Sequence, residues 1–194
     1  MKFTPVYEKD FAPMSIVLRD FKSAVDKADN KILKICVERN DGYNYIYELK
    51  IYSASDKREE NYGIAERIIK SILWVVGGYK IYLCGDEYIY DRIKADYTEK
   101  GSRAFDVDFM QTVYEKTFEV IFCSEKDFPK YNPCSVSIGG HLEGCRIGFD
   151  AGGSDRKVSA VIDGKVVYSE EVVWFPKTNS DYHYHYEGIK QAML

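Results

Sequence analysis

Residues 146–174 read RIGFDAGGSDRKVSAVIDGKVVYSEEVVW, and this stretch decides the fold of the C-terminal part of the chain. An apolar run ends in Asp150, and the glycines after it suit a sharp turn into a second strand-like run over residues 158–162. The Asp163-Gly164 pair supplies the positive φ that a tight hairpin turn needs, and a third strand-like run follows over residues 165–174. The stretch therefore predicts three strands joined by two tight turns.

The turn after Asp150 carries residues that suit a phosphate group. Gly152 and Gly153 have no side chains, so the backbone can turn sharply and a phosphate can approach its N–H groups. Ser154 can donate a hydroxyl hydrogen bond to a phosphate oxygen. Asp150 can hold Mg²⁺ directly or through water, because Mg²⁺ favours carboxylate oxygen. These residues predict a site for Mg²⁺ and a nucleotide phosphate; the alternative is a plain β-hairpin whose glycines serve only the turn.

The loop differs from the two commonest phosphate motifs. A Walker loop requires G-K-[ST], and a Rossmann fingerprint requires a helix after the glycines. The stretch instead resembles the first phosphate loop of the actin-like and sugar-kinase ATPase superfamily. Within that superfamily it is most similar to the ROK group of sugar kinases and sugar-responsive repressors, whose pattern is D-x-G-G-T-K. ATPases of the BadF/BcrA type share a similar loop. The resemblance covers residues 145–194.

The resemblance implies roles for individual residues. Asp150 would help to position Mg-ATP, and Gly152, Gly153 and Ser154 would contact the phosphates. Where the ROK pattern has Lys directly after the hydroxyl residue, this chain has Asp155. Strand alternation turns Ser154 and Arg156 to one face of the strand, and Asp155 and Lys157 to the other. Arg156 is therefore the predicted substitute for the lysine charge, and the alternative is that nucleotide binding is weak. For this chain alone, weak or absent binding of ATP and Mg²⁺ is expected.

The function implied is ATP-dependent phosphoryl transfer to a sugar. In ROK-like kinases the catalytic Asp, the sugar-binding residues and a zinc site follow this hairpin. We therefore expect the chain to be the N-terminal part of a longer sugar kinase, with no catalytic residue before Leu194 and no activity alone. One alternative is a non-catalytic regulator that senses a sugar or a nucleotide, and another is an activator ATPase of the BadF/BcrA type. A third is an adaptor that forms a homodimer through Tyr-rich sheets.

Residues 1–124 alternate between helical and strand-like patterns. A helix is predicted around residues 21–28. Alternating apolar residues predict strands over 32–39 and 43–52, joined by a tight Asp41-Gly42 turn. The following elements are a polar loop over 53–61, a helix over 62–76, a strand over 79–84, a helix capped by Asp86, a helix over 105–114 and a strand over 118–123. The predicted fold class is α/β with a mixed sheet. It comprises an accessory α/β domain over 1–124, a linker rich in Pro and Gly over 125–144, and the first three strands of a ribonuclease-H-like lobe over 145–194. A degenerate second lobe is the alternative for the first domain.

Composition and charge indicate which kinds of partner and which compartment to expect. The net charge of -4 argues against a nucleic-acid partner, because backbone phosphates are held by a basic face. No stretch approaches the ~20 apolar residues of a membrane span, and the N-terminus lacks the apolar run of a signal peptide. The five cysteines form no C-x-x-C pair and suit buried thiols in a reducing compartment. The predicted location is the cytoplasm, with no membrane partner.

The histidines give a weaker signal. His183 and His185 form an H-x-H pair near Asp181, which could bind a metal, but a surface loop is the favoured interpretation because no third His lies nearby. His141 stands alone in the predicted linker, where a solvated or capping role is expected. No Ser–His–Asp or Cys–His set can be argued from the sequence.

Overall fold

The computed structural model describes residues 6–8, 11–133 and 139–194, and the chain divides into two compact units, Met1–Ser135 and Val136–Leu194. Unit 1 contains α1 (Met14–Val25), β1 (Asn30–Glu38), β2 (Asn44–Tyr52), α2 (Arg58–Val76), β3 (Lys80–Cys84), α3 (Glu87–Asp96), α4 (Ala104–Tyr114) and β4 (Glu119–Phe122). Unit 2 contains β5 (Cys145–Ala151), β6 (Asp155–Ile162), β7 (Lys165–Val173) and α5 (Tyr182–Met193). The predicted mixed α/β class is confirmed.

The sheet of unit 1 has four strands in the order β2-β1-β3-β4. β1 runs antiparallel to both β2 and β3, whereas β3 and β4 are parallel. The predicted hairpin turn joins β1 to β2, and Asp41 and Gly42 both adopt positive φ there, at 61° and 70°. Asp-Gly suits this turn because neither residue carries a branched side chain at a left-handed position.

Alternation along β1 separates a helix-covered face of the sheet from a second face. Leu33, Ile35 and Val37 are fully buried in the core, which they share with residues of α1, α2, α3 and α4. Asp86 caps α3 as predicted, because its carboxylate accepts a hydrogen bond of 2.8 Å from the backbone N–H of Ile89. The helices therefore form one layer over the sheet.

Helix α2 begins earlier than the sequence predicts. Residues 53–61 were expected to form a loop, but a 3-10 turn over Ser55–Lys57 leads directly into the helix at Arg58. The buried Asn61 explains the early start, since its amide bonds to the backbone N–H of Tyr52 at 3.0 Å and to the Tyr52 carbonyl at 2.9 Å. A polar residue that looks like loop chemistry thus anchors the first turn of the helix to the end of β2.

The spacing of apolar residues places Trp74 near one face of α2, together with Leu73. In the structure Leu73 is fully buried, whereas Trp74 lies at the margin of the core and is 42% exposed, with its ring stacked on Phe105 and Phe109 of α4. Its indole N–H donates to the carboxylate of Asp106 at 3.0 Å. An indole that must satisfy its N–H suits such a half-exposed position.

A segment that we call the strap, residues 124–133, crosses the second face of this sheet. Glu125 forms an ion pair with Lys34. The amide of Asn44 donates to the carbonyl of Lys130 at 2.8 Å and accepts from the backbone N–H of Asn132 at 3.0 Å. Lys34 and Asn44 lie on the same face of the sheet as the fully buried Cys36, so the strap runs along that face.

The strap also bears on the predicted linker. Residues 125–133, which the sequence assigns to its first part, belong to unit 1. Residues 134–138 of that linker, including Cys134, lie outside the described residues. Proline and glycine content alone does not distinguish a linker from an irregular segment that packs on a sheet.

Unit 2 is a three-stranded antiparallel sheet in the order β5-β6-β7, with α5 packed beside β6. The predicted turn between β6 and β7 places Asp163 and Gly164 at φ of 48° and 79°. β6 begins at Asp155, three residues before the predicted start at residue 158. Helix α5 begins at Tyr182, since Asp181 caps it by accepting from the backbone N–H of His183 at 2.9 Å.

Within the described ranges, no helix is both long enough and apolar enough to cross a membrane.

Candidate phosphate-binding site

The loop between β5 and β6 consists of Gly152, Gly153 and Ser154. A Cβ atom at position 152 would lie 2.6 Å from the carbonyl oxygen of Asp155 and 2.8 Å from its carboxylate Oδ1. The loop therefore closes tightly upon itself. Glycine is required at position 152 because a side chain there would collide with backbone, which cannot move aside as a flexible side chain can.

Trp174 holds this loop from the end of β7. Its indole N–H donates to the carbonyl of Gly152 at 2.7 Å, and its backbone N–H donates to the carbonyl of Ser154 at 3.1 Å. The side chain is buried, with 5% of its surface exposed. The sequence identified Trp174 only as the end of the third strand, so its role in fixing the loop was missed.

Lys177 lies against the loop from a 3-10 turn over Pro176–Thr178. A Cβ at Gly153 would stand 2.5 Å from Lys177 Cε and 2.9 Å from its ammonium Nζ. The absence of a side chain at position 153 thus makes room for a cation. Sequence reasoning missed Lys177 because it lies in a polar segment well separated from the loop along the chain.

Asp150 shares one face of the sheet with Lys157. The two residues are direct Cα partners between β5 and β6, so their side chains leave the sheet on the same side. Lys157 Nζ lies 2.9 Å from Asp155 Oδ1, and this bond, with the negative charges of Asp155, Glu171 and Asp150, raises the pKa of Lys157. The predicted Mg²⁺ ligand, Asp150, therefore lies on the same face of the sheet as the Asp155–Lys157 ion pair.

Arg156 leaves the sheet on the opposite face from Asp150. Its Cα partners are Ala151 on β5 and Val172 on β7, and only 8% of its surface is exposed. The structure thus brings Asp150 and the three loop residues together at the end of the β5–β6 hairpin but separates Arg156 from Asp150. Lys157 is the cation directly opposite Asp150 on that face.

The His185 ring contacts nearby backbone carbonyl groups. The ring nitrogens of His185 lie 3.0 Å from the carbonyl oxygen of Asp181 and 3.2 Å from that of Pro176. The carbonyl of His141 accepts from the Arg146 guanidinium at 2.9 Å. In residues 6–8, 11–133 and 139–194, no group of three or more His, Cys, Asp or Glu side chains is placed to hold a metal ion.

Comparison of the chain with protein-family models, with curated protein sequences and with solved structures gave no match.

Proposed function

We propose that unit 2 binds the phosphates of a Mg-nucleotide at the loop between β5 and β6. The observation that carries this proposal is the position of the Lys177 ammonium against Gly153, in a loop that lacks side chains at positions 152 and 153. A cation beside bare backbone favours a bound anion. The proposal rests on these residues and on the resemblance to the ROK group.

Each residue has a defined task in the proposed complex. Lys177 and the Ser154 hydroxyl bind phosphate oxygens, and Lys157 adds positive charge on the side of Asp150. Asp150 is exposed and holds Mg²⁺ directly or through water. When bound, Mg²⁺ neutralises charge on the phosphates. The Asp155–Lys157 ion pair offsets the repulsion that the Asp155 carboxylate exerts on a phosphate.

The wider activity follows from the resemblance. We propose ATP-dependent phosphoryl transfer to a sugar, with ATP and Mg²⁺ as cofactors and with unit 2 as the start of a ribonuclease-H-like lobe. The proposed compartment is the cytoplasm, which the free thiols of the described cysteines favour (Cys36, Cys84, Cys123 and Cys145). Self-association through Tyr-rich sheets stays a prediction.

One observation favours the alternative of a nucleotide- or sugar-sensing regulator. The carboxylate of Asp155 lies within the loop itself, 2.8 Å from where a Cβ of Gly152 would stand. An acidic group at this distance weakens the attraction for phosphates, and a regulator tolerates weaker binding than a kinase does. Nucleotide affinity separates the two functions.

The test is isothermal titration calorimetry with Mg-ATP and Mg-ADP on the intact chain. We expect Asp150→Ala and Lys177→Met each to weaken binding at least about tenfold, a loss of about 1.4 kcal/mol. Lys165→Met is the matched control, because this exposed lysine lies at the far end of β7, about 25 Å along the strand. Absence of heat at millimolar nucleotide, or equal binding by Lys177→Met, would contradict the proposal.

A further inference from the structure

Arg156 is a buried charge without a partner. It is 8% exposed and forms no hydrogen bond or ion pair with any residue that the structure describes, and its Nη1 is fully enclosed without an acceptor. Burying an ionised group costs several kcal/mol unless opposite charge or hydrogen bonds compensate. Native proteins rarely leave a buried guanidinium in this state. An anion bound beside the guanidinium would compensate this buried charge.

A cavity of about 600 Å³ adjoins Arg156. The lining includes Arg156 from β6, Trp174 directly after β7, and His183, Glu187 and Gln191 from helix α5. Arg156 and Asp150 leave the sheet on opposite faces. The buried Trp174 also lines this cavity, while its indole N–H bonds to Gly152 of the phosphate loop. No residue of the proposed nucleotide site lines this cavity, so the two sites are separate.

The two acids that line the cavity, Asp181 and Glu187, each have a partner other than Arg156. Asp181 accepts the backbone N–H of His183 as the cap of α5. Glu187 lies 3.7 Å from the ammonium of Lys190, and 53% of its side chain is exposed. Neither carboxylate pairs with Arg156. An anion from outside the chain would supply the missing partner.

We propose that this cavity binds a small hydroxylated oxyanion. Its carboxylate or phosphate group pairs with Arg156, because a guanidinium presents parallel donors that match either group. Its hydroxyl groups donate to Glu187 and to the amide oxygen of Gln191, and its carbon skeleton packs on the Trp174 ring. The site does not depend on the proposed nucleotide binding.

The test follows the indole N–H resonance of Trp174 in ¹H–¹⁵N spectra of the intact chain. The chain has two tryptophans, so Trp74→Phe assigns the signal. Gluconate and glycerol 3-phosphate are the probes, at constant ionic strength, and neutral sorbitol is the control. We expect a saturable shift with one or both oxyanions and none with sorbitol. The stronger of the two responses tells whether the group on Arg156 is a carboxylate or a phosphate.

The variants separate this site from the nucleotide loop. Arg156→Met keeps the aliphatic stem and should abolish the saturable shift, whereas Lys177→Met should retain it. Arg156→Lys keeps the charge but not the planar fork, and should bind about tenfold more weakly. With Mg-ATP as the ligand we expect the reverse: Lys177→Met weakens binding and Arg156→Met does not. Failure of one proposal is therefore distinguishable from failure of the other. Absence of saturation with both oxyanions, or its persistence in Arg156→Met, would overturn the inference.

Thermal unfolding without ligand is a second test of whether Arg156 has a partner within the chain. Removing an uncompensated buried charge should leave the melting temperature of unit 2 unchanged or raised in Arg156→Met. If Arg156 instead pairs with Glu187 in solution, Arg156→Met and Glu187→Gln will both lower the melting temperature, and the double variant will lower it no further. That outcome would overturn the proposal, because the guanidinium would have an internal partner.

Discussion

The indole Nε1 of Trp174 lies 2.7 Å from the carbonyl oxygen of Gly152, so the residue that follows β7 fixes the loop that follows β5. The same ring lies close to α5, since a Cβ at Gly188 would stand 3.0 Å from Trp174 Cε3. One side chain thus connects the loop, the strand and the helix of unit 2. The conformation of the proposed phosphate loop depends on a residue that contributes no charge to it.

Trp174→Phe should loosen this loop. The change removes the hydrogen bond to Gly152 and part of a buried ring, at a cost of about 1–3 kcal/mol to the stability of unit 2. Amide hydrogen exchange at residues 152–154 should accelerate accordingly. Trp74→Phe is the matched control, because it removes an indole in unit 1 and should leave exchange in the loop unchanged. Equal exchange rates in wild type and Trp174→Phe would show that the bond does not hold the loop.

The two loop glycines should respond differently to alanine. Gly152→Ala brings a Cβ against the backbone of Asp155 and should destabilise unit 2 by about 1–3 kcal/mol. Gly153→Ala meets only the flexible end of Lys177 and should cost about 0.5 kcal/mol or less. It should nevertheless weaken nucleotide binding, because it displaces the ammonium. Chemical denaturation and calorimetry measure the two effects, and equal destabilisation by both variants would contradict the geometry.

Asn61→Ala should be among the more damaging polar substitutions in unit 1. It leaves the N–H and the carbonyl of Tyr52 without their buried partners, at a cost of about 2–4 kcal/mol. Asn40→Ala is the control, because Asn40 is exposed in the hairpin turn and should change stability by about 0.5 kcal/mol or less. Urea unfolding of unit 1 compares them. A small effect of Asn61→Ala would mean that water replaces the amide.

Unit 1 should lose stability in alkali through Cys36. Burial raises the pKa of this thiol from 9.0 to about 12. Between these values the folded state keeps a proton that the unfolded state releases, so the free energy of unfolding falls as pH rises, by up to about 1.4 kcal/mol per pH unit. Cys36→Ala should lessen this dependence between about pH 9 and about pH 11, and the part that remains includes contributions from Tyr62, Tyr82 and Tyr97, whose pKa values burial also raises. If the free energy of unfolding changes with pH at the same slope in wild type and Cys36→Ala, the Cys36 thiol does not cause the loss of stability.

Local chemistry predicted most elements of the fold. The Asp-Gly turns, the alternation in β1 and the Asp86 cap each depend on neighbouring residues, and each is found where expected. The start of α2 was missed because its anchor is a bond from Asn61 to Tyr52, which sequence spacing does not reveal. The start of α2 thus depends on a tertiary contact, because the local sequence does not favour either helix or loop there.

The candidate site shows the same division. Glycines and an acid adjacent in sequence identified the loop, but the face of each strand residue depends on the register between β5 and β6. A register shift by one residue would exchange the faces of Arg156 and Lys157 relative to Asp150. Lys177 could not be found at all, because only the packing of the segment after Trp174 brings it to Gly153.

The strap has a consequence for the order in which the contacts of unit 1 form during synthesis. Asn44 and Asn132 are bonded to each other although they stand 88 positions apart in the chain. The β1–β2 hairpin closes over a short loop, whereas the contacts of Glu125 with Lys34 and of Asn132 with Asn44 form only after the strap has been synthesised. A protein cut at residue 124 would lose these contacts, so excision of an independent first domain should retain residues 125–133.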